Sequence, residues 1–141
     1  MTALTLEDVR PLLEAASPAV LTTYRKDGSA LTTPVWFRWT GEAFEVVIAI
    51  GDVKLAHLAR DPRCVLVIFE AVPPFRGVEV RAEATLQEGD VADSRRSIAG
   101  RYLGHRDGER FAAQRASRPG VLMRLTQEQP RVWSLAGMLA E

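Results

Sequence analysis

Three features of the sequence predict a mainly β fold with short helices, its antiparallel strands closed or nearly closed into a small barrel. Two turn signals, Asp27-Gly28 and Thr40-Gly41-Glu42, separate β-rich segments at 19–25, 30–39 and 43–50, which makes an antiparallel meander. The stretch 78–86 alternates strictly between apolar and polar residues. Helical periodicity is confined to short segments between the strand-like runs.

Taken in order, Thr5 and Asp8 form a variant capping box ahead of Leu6, Val9, Leu12 and Leu13, which fall at helical spacing. Pro11 is expected to tighten or kink this opening helix, and Ser17-Pro18 to end it. After the meander, Asp52 is the expected N-cap of a helix carrying Val53, Leu55, Leu58 and Ala59, which Asp61-Pro62 stops. The run 63–69 is apolar on both faces and is expected to be buried on both. Pro73-Pro74 is a stiff break. In the alternating stretch Val78, Val80, Ala82, Ala84 and Leu86 are expected to point inward, with Glu79, Arg81, Glu83 and Thr85 in solvent. Helices are expected at 90–103 and 108–116, joined by Gly104-His105-Arg106-Asp107, and closing strands at 121–126 and 131–135.

Length and composition bound the rest. The 141 residues suit one domain, 1–141, and 47% hydrophobic with 26% charged residues is ordinary globular composition. Lys+Arg 18 against Asp+Glu 18 leaves no net charge, which disfavours nucleic acid and anionic membrane as partners, so an anionic ligand needs a local cluster of donors. The lone Cys64 excludes an intrachain disulfide, no signal-peptide pattern opens the chain, and no apolar run can span a bilayer, so a cytoplasmic protein is expected.

Few side chains carry recognisable chemistry. His57, His105 and Cys64 stand apart without metal-ligand spacing, so no metal is expected. There is no nucleophile elbow, Walker loop or dinucleotide fingerprint. Poverty in acid–base machinery points to chemistry carried by a bound cofactor, or to none. Arg95, Arg96, Arg115 and Arg118 read as solvent-facing helix residues. Trp36, Phe37, Trp39, Phe69, Phe75 and Trp133 exceed what barrel corners need; they either fill the core or form a dimer face or a slot for a flat ligand.

Three segments, in this order, carry a family resemblance. Thr23 to Ser29 is followed by Thr33-Pro34-Val35-Trp36-Phe37; Asp52-Val53-Lys54 leads into Leu58-Ala59-Arg60-Asp61-Pro62-Arg63; and Pro73-Pro74-Phe75-Arg76 precedes Val78 to Ala82, with Arg101-Tyr102-Leu103-Gly104 downstream. Together they resemble the pyridoxamine 5'-phosphate oxidase-like split β-barrel superfamily, and most of all its oxidoreductases that use the deazaflavin coenzyme F420 or FMN. The resemblance implies a split β-barrel homodimer with cofactor sites in the grooves between subunits. It places Thr33, Pro34, Val35 and Trp36 beside the cofactor ring and Lys54 on its phosphate, with Ile48, Ala49, Ile50 and Val53 completing the implied cofactor-binding set. A lysine at a helix N-terminus suits that role, because free N–H groups and a point charge meet there. The chain departs from its relatives by carrying Val47, Ile48 and Ile50 where hydroxyl residues and an arginine are frequent, Asp52 beside the lysine, and His57 where asparagine is frequent. The implied activity is hydride transfer between F420 and a small unsaturated or conjugated organic substrate. The alternatives are an FMN-binding oxidoreductase, or a non-enzymatic dimer that holds a flavin, haem or tetrapyrrole-like ring. No catalytic residue is assigned; Tyr102, His57 and water are the candidate proton sources.

Overall fold

Two backbone corners turn the strands of this chain into a barrel. The structure is a computed structural model and describes residues 3–139. Its strands are β1 (Ala19–Tyr24), β2 (Ala30–Val35), β3 (Arg38–Trp39), β4 (Ala43–Ala49), β5 (Arg63–Phe69), β6 (Gly77–Glu83), β7 (Thr85–Gly89), β8 (Gly120–Thr126) and β9 (Arg131–Trp133). A 3₁₀ turn (Glu7–Val9) and helix α1 (Arg10–Glu14) precede them; α2 (Val53–Arg60), α3 (Ala92–Leu103), α4 (His105–Gln114) and α5 (Ala136–Leu139) fill the connections and the end. The strands form a five-stranded sheet, β2-β1-β5-β6-β9, and a four-stranded sheet, β3-β4-β8-β7. Every pairing is antiparallel.

The first corner is Trp36-Phe37, where the expected strand 30–39 leaves one sheet as β2 and enters the other as β3. The second is Ala84, whose N–H donates to Pro62 O at 2.8 Å and divides the alternating stretch into β6 and β7. Crossing between sheets at both places gives a split β-barrel of mainly β character with short helices. Phe37, Phe44, Leu21, Leu66, Ile68, Met123 and Leu125 are fully buried between the sheets.

Several expectations change for reasons of position. Leu86 shares a face with its cross-strand partner Met123, yet it stays 37% exposed because β7 is an edge strand. In β5, Cys64, Leu66 and Ile68 are buried, whereas Val65, Val67 and Phe69 are only half-buried on an outer face that remains accessible. Glu79 is not freely solvated: its side chain is 17% exposed and pairs with Arg81 and Arg131. Asp8 accepts from the Thr5 N–H at 2.7 Å, as a capping box requires, and Pro11 sits in the first turn of α1 after a break at Val9. The aromatic surplus serves more than one purpose. Phe37 fills the core, Phe69 lies on the outer face, and the Trp39 indole N–H donates to Gln127 at 2.7 Å.

The helical hairpin departs most from its expected bounds. Gly104, at φ 84°, ends α3, and α4 begins at once with His105, so the expected linker 104–107 is the first turn of a helix. Gly108 looks like a breaker by propensity, but it is buried where the two helices touch. A Cβ built on it would lie 2.6 Å from the Cα of Gly100 and 2.8 Å from its N, so only glycine permits this approach.

Replacing Gly108 by alanine is therefore expected to force α3 and α4 apart at a cost of roughly 1–3 kcal/mol. Urea denaturation of Gly108→Ala measures it; a stability gain of the kind an ordinary helical Gly→Ala change brings would show that the contact is slack.

Candidate functional site

The site arises from a short strand. β3 pairs with β4 only through Arg38↔Glu45 and Trp39↔Phe44, so β4 from Val46 onward has no ladder partner on that side. A strand edge left open in this way presents free backbone donors and acceptors. The end of β2 and the Trp36 corner stand across the gap, and α3, α4 and the segment 115–119 close it from outside. The result is a groove of about 530 Å³, of the size that takes a small organic molecule or cofactor.

Its two ends differ in chemistry. Around Trp36 the walls are apolar: Pro34, Val35, Val46, Ile48, Ile98 and Phe111. The Trp36 ring stacks on Tyr102 with centroids 5.2 Å apart and planes 10° apart, and meets Phe111 at 5.3 Å. At the other end the register Ala49↔Gly120 sets Pro119 and Arg118 beside the turn that leads to Asp52 and Lys54. Arg95 and Arg115 also line the groove. Four basic side chains thus face one acid in a chain with no net charge.

Two of the four arginines expected to face solvent do not. Arg95 is buried, because its guanidinium donates to the carbonyls of Arg115 at 2.8 Å and Arg118 at 3.2 Å and so holds the loop that carries them. Burial, with Arg115 and Arg118 nearby, pulls its pKa down. Gly120 makes room for it, since a Cβ there would lie 3.1 Å from Arg95 Nη2. Arg115 is half-buried, its guanidinium 3.7 Å from the centre of the Phe111 ring. Arg96 and Arg118 are exposed as expected, Arg96 paired with Asp93 and Glu109. Helical spacing signals a face, but which face meets the barrel is a tertiary matter.

Of the residues singled out in the sequence, Pro34, Val35, Trp36, Ile48, Ala49 and Lys54 line the groove. Thr33, on the face of β2 shared with buried Leu21, carries a buried hydroxyl without a hydrogen-bond partner. Ile50 and Val53 lie outside the lining and are 49% and 54% exposed, because the chain turns at Gly51, φ 93°, before α2 starts. Asp52 caps α2 as expected: one oxygen accepts from the Lys54 N–H at 2.9 Å and the other pairs with the Lys54 ammonium at 3.0 Å. Burial works against the Asp52 charge, but these contacts outweigh it and hold the carboxyl below its ordinary value.

Neither side chain considered as a proton source borders the groove. The Tyr102 hydroxyl donates to Ser17 O at 3.0 Å and accepts from the Phe37 N–H, and burial pushes its pKa up. His57 is buried, with Nδ1 2.9 Å from the Thr23 hydroxyl. Cys64 is likewise apart, a buried thiol pushed up to about 12 by desolvation. Among the described residues no group of His, Cys, Asp and Glu could hold a metal ion, and no helix is long and apolar enough to cross a membrane.

One clamp holds the outer wall in place. The Arg101 guanidinium donates to the carbonyls of Phe37, Leu13 and Ala15, the one to Leu13 at 3.0 Å, and lies 4.7 Å from the Phe37 ring centre. Leu13 and Ala15 sit at the end of α1, where helix carbonyls lack partners of their own. The donor set and the aromatic rings fit a flat conjugated group that carries an anionic tail.

Comparison with known proteins shows the family and the fold. The family model described as pyridoxamine 5'-phosphate oxidase matches residues 5–134. No curated protein matches the chain. Among solved structures, a conserved hypothetical protein from Mycobacterium tuberculosis is similar at TM-score 0.77 and 18% identity, over 96% of this chain and 88% of that one. An F420 reductase is similar at TM-score 0.69 and 21% identity, over 86% and 94% of the two chains. The haem storage protein HutZ from Vibrio cholerae is similar at TM-score 0.66 and 16% identity, over 94% and 95%. At these identities the likeness is one of fold.

Substituting Arg101 by methionine keeps the stem but strands its carbonyl partners, and is expected to cost about 2–4 kcal/mol. Chemical denaturation with tryptophan emission as the probe reads both the loss and a shift in the Trp36 environment. A change below about 0.5 kcal/mol would show that α3 is held by packing alone.

Proposed function

This chain belongs to the pyridoxamine 5'-phosphate oxidase family, and from that premise we propose that its groove binds the deazaflavin coenzyme F420 and that the protein is a reductase. The reaction is hydride transfer between that coenzyme and a small unsaturated or conjugated organic substrate. One observation carries the reading: a single groove is lined by the aromatic rings of Trp36 and Phe111 and by the basic residues Lys54, Arg115 and Arg118.

In this reading Pro34, Val35, Trp36, Ile48 and Ala49 hold the ring, Lys54 and the arginines hold the tail, and Thr33, Ile50 and Val53 support the walls from outside the lining. Such a coenzyme supplies the hydride chemistry when bound; the chain binds, orients and excludes water. Positioning of this kind can be worth up to about 7–11 kcal/mol. With Tyr102 and His57 both engaged away from the groove, the accompanying proton is assigned to solvent.

FMN is the alternative ligand, and it brings the same type of ring with a shorter tail and a single phosphate. Several basic groups at one end favour the longer, more anionic tail of F420. A tetrapyrrole gains less support, since no imidazole, thiol or thioether lines the groove among the described residues to act as an axial ligand.

The working unit is proposed to be a homodimer. Val20, Val65, Val67 and Phe69 form a half-buried apolar outer face that a second copy would cover, placing the groove near a subunit boundary. Light scattering on the eluting protein is expected to give twice 15.6 kDa; a monomer at micromolar concentration would remove the intersubunit site.

Tryptophan-fluorescence titration tests the ligand. Saturable quenching by F420, tighter than by FMN, is expected, with Trp36→Phe reporting how much of the signal comes from the groove. Lys54→Ala removes the ammonium and leaves Asp52 uncompensated, so binding should weaken by about 10- to 150-fold, the worth of one charge-assisted hydrogen bond. No saturable binding of either ring would overturn the reading.

A further inference from the structure

A helix N-terminus followed by a lysine is an anion-binding arrangement, and here it already holds an anion of the chain's own. Both oxygens of Asp52 are committed to Lys54, one to its backbone N–H at 2.9 Å and one to its ammonium at 3.0 Å. Lys54 is 14% and Asp52 30% exposed at the side chain, and both line the groove, so this pair forms part of the wall that a bound ligand meets. A carboxylate and an ammonium at contact distance present no net charge. A ligand phosphate at Lys54 must therefore share these donors with a carboxylate and lie beside it. The remaining positive charge lies across the gap: Arg95 is spent on the carbonyls of Arg115 and Arg118, Arg115 donates to Phe111 O at 3.2 Å and stacks on the Phe111 ring, and exposed Arg118 also lines the groove.

We propose that Asp52 is a specificity-determining residue, a built-in carboxylate that occupies the phosphate position at Lys54 and so selects against ligands ending in a phosphomonoester. This inference rests on the reading of the groove as a flavin or deazaflavin site. A phosphomonoester carries close to two negative charges at neutral pH, since its second pKa is about 6. A phosphodiester carries one. The Asp52 carboxylate repels the former more strongly than the latter, and a neutral ring without phosphate least of all. A tail joined through a diester can also run past the pair to Arg115 and Arg118, whereas a terminal phosphate on a short tail is held beside it. Asp52 therefore turns the groove away from FMN and toward a diester-linked cofactor such as F420, without touching the ring.

The test is Asp52→Asn, which removes the charge but keeps a side chain that caps helices as well as aspartate does, so α2 retains its N-cap and a thermal melt verifies that the fold holds. Wild type and variant are each titrated with riboflavin, FMN and F420, monitored by tryptophan quenching. The expected result is that FMN affinity rises at least tenfold in the variant, that riboflavin changes less than about twofold, and that F420 gains less than FMN does. Rings that bind both proteins with an unchanged FMN-to-riboflavin affinity ratio would overturn the role of Asp52 and leave the groove assignment standing. Failure of all three ligands to bind either protein would instead sink the groove assignment, and the inference with it.

Discussion

The Arg101–Tyr102 pair at the end of α3 ties together parts of the chain that share no strand ladder. Arg101 serves the carbonyls of Leu13 and Ala15 at the end of α1 and that of Phe37 at the first barrel corner. Tyr102 binds the other side of the same corner through Ser17 O and the Phe37 N–H, and offers its ring to Trp36. A helix end that lacks hydrogen-bond partners, a sheet-to-sheet corner and the outer helical hairpin are thereby joined at one point. The groove depends on that point, because its far wall is the α3–α4 hairpin and its aromatic floor is the tryptophan that Tyr102 supports.

Charge is arranged on the same economy. With no net charge, the chain exerts no long-range pull, yet Lys54, Arg95, Arg115 and Arg118 all line one groove. Arg95 orders the others without facing outward: by donating to two backbone carbonyls it fixes the loop that presents Arg115 and Arg118. Asp52 sets the opposing limit, because it neutralises Lys54 from within the same turn. The groove is thus basic on its helical side and balanced on its strand side.

Much of the fold is legible in the sequence because its signals are local. Asp27-Gly28, Asp52 and Ser17-Pro18 each act through neighbouring backbone, so hairpin, helix start and helix end fall where expected. The ordered motifs around Thr33 to Phe37 and Asp52 to Lys54 likewise mark one strand-side wall of the groove. What misleads is whatever depends on a distant partner. His105 to Asp107 read as a linker, but the close contact of Gly108 with Gly100 packs α4 against α3 from its first turn. Leu86 fits the alternation, yet lies on an edge strand. Arg95 looks like a solvated helix residue until a loop twenty residues on supplies its carbonyls.

By itself, then, the sequence determined the antiparallel strands, their turns, the helix caps and the family, since periodicity, turn chemistry and motif order are properties of short stretches. Only the tertiary structure decided that the strands at 30–39 and 78–86 break into corners, that β3 is too short to cover β4, and that Arg95 of α3 and Arg115 and Arg118 after α4 line the same groove as Lys54. Those are closure effects: a barrel must turn its strands from one sheet to the other, and where the ladder fails to close, the exposed edge and the nearest helix define a groove that no local pattern encodes.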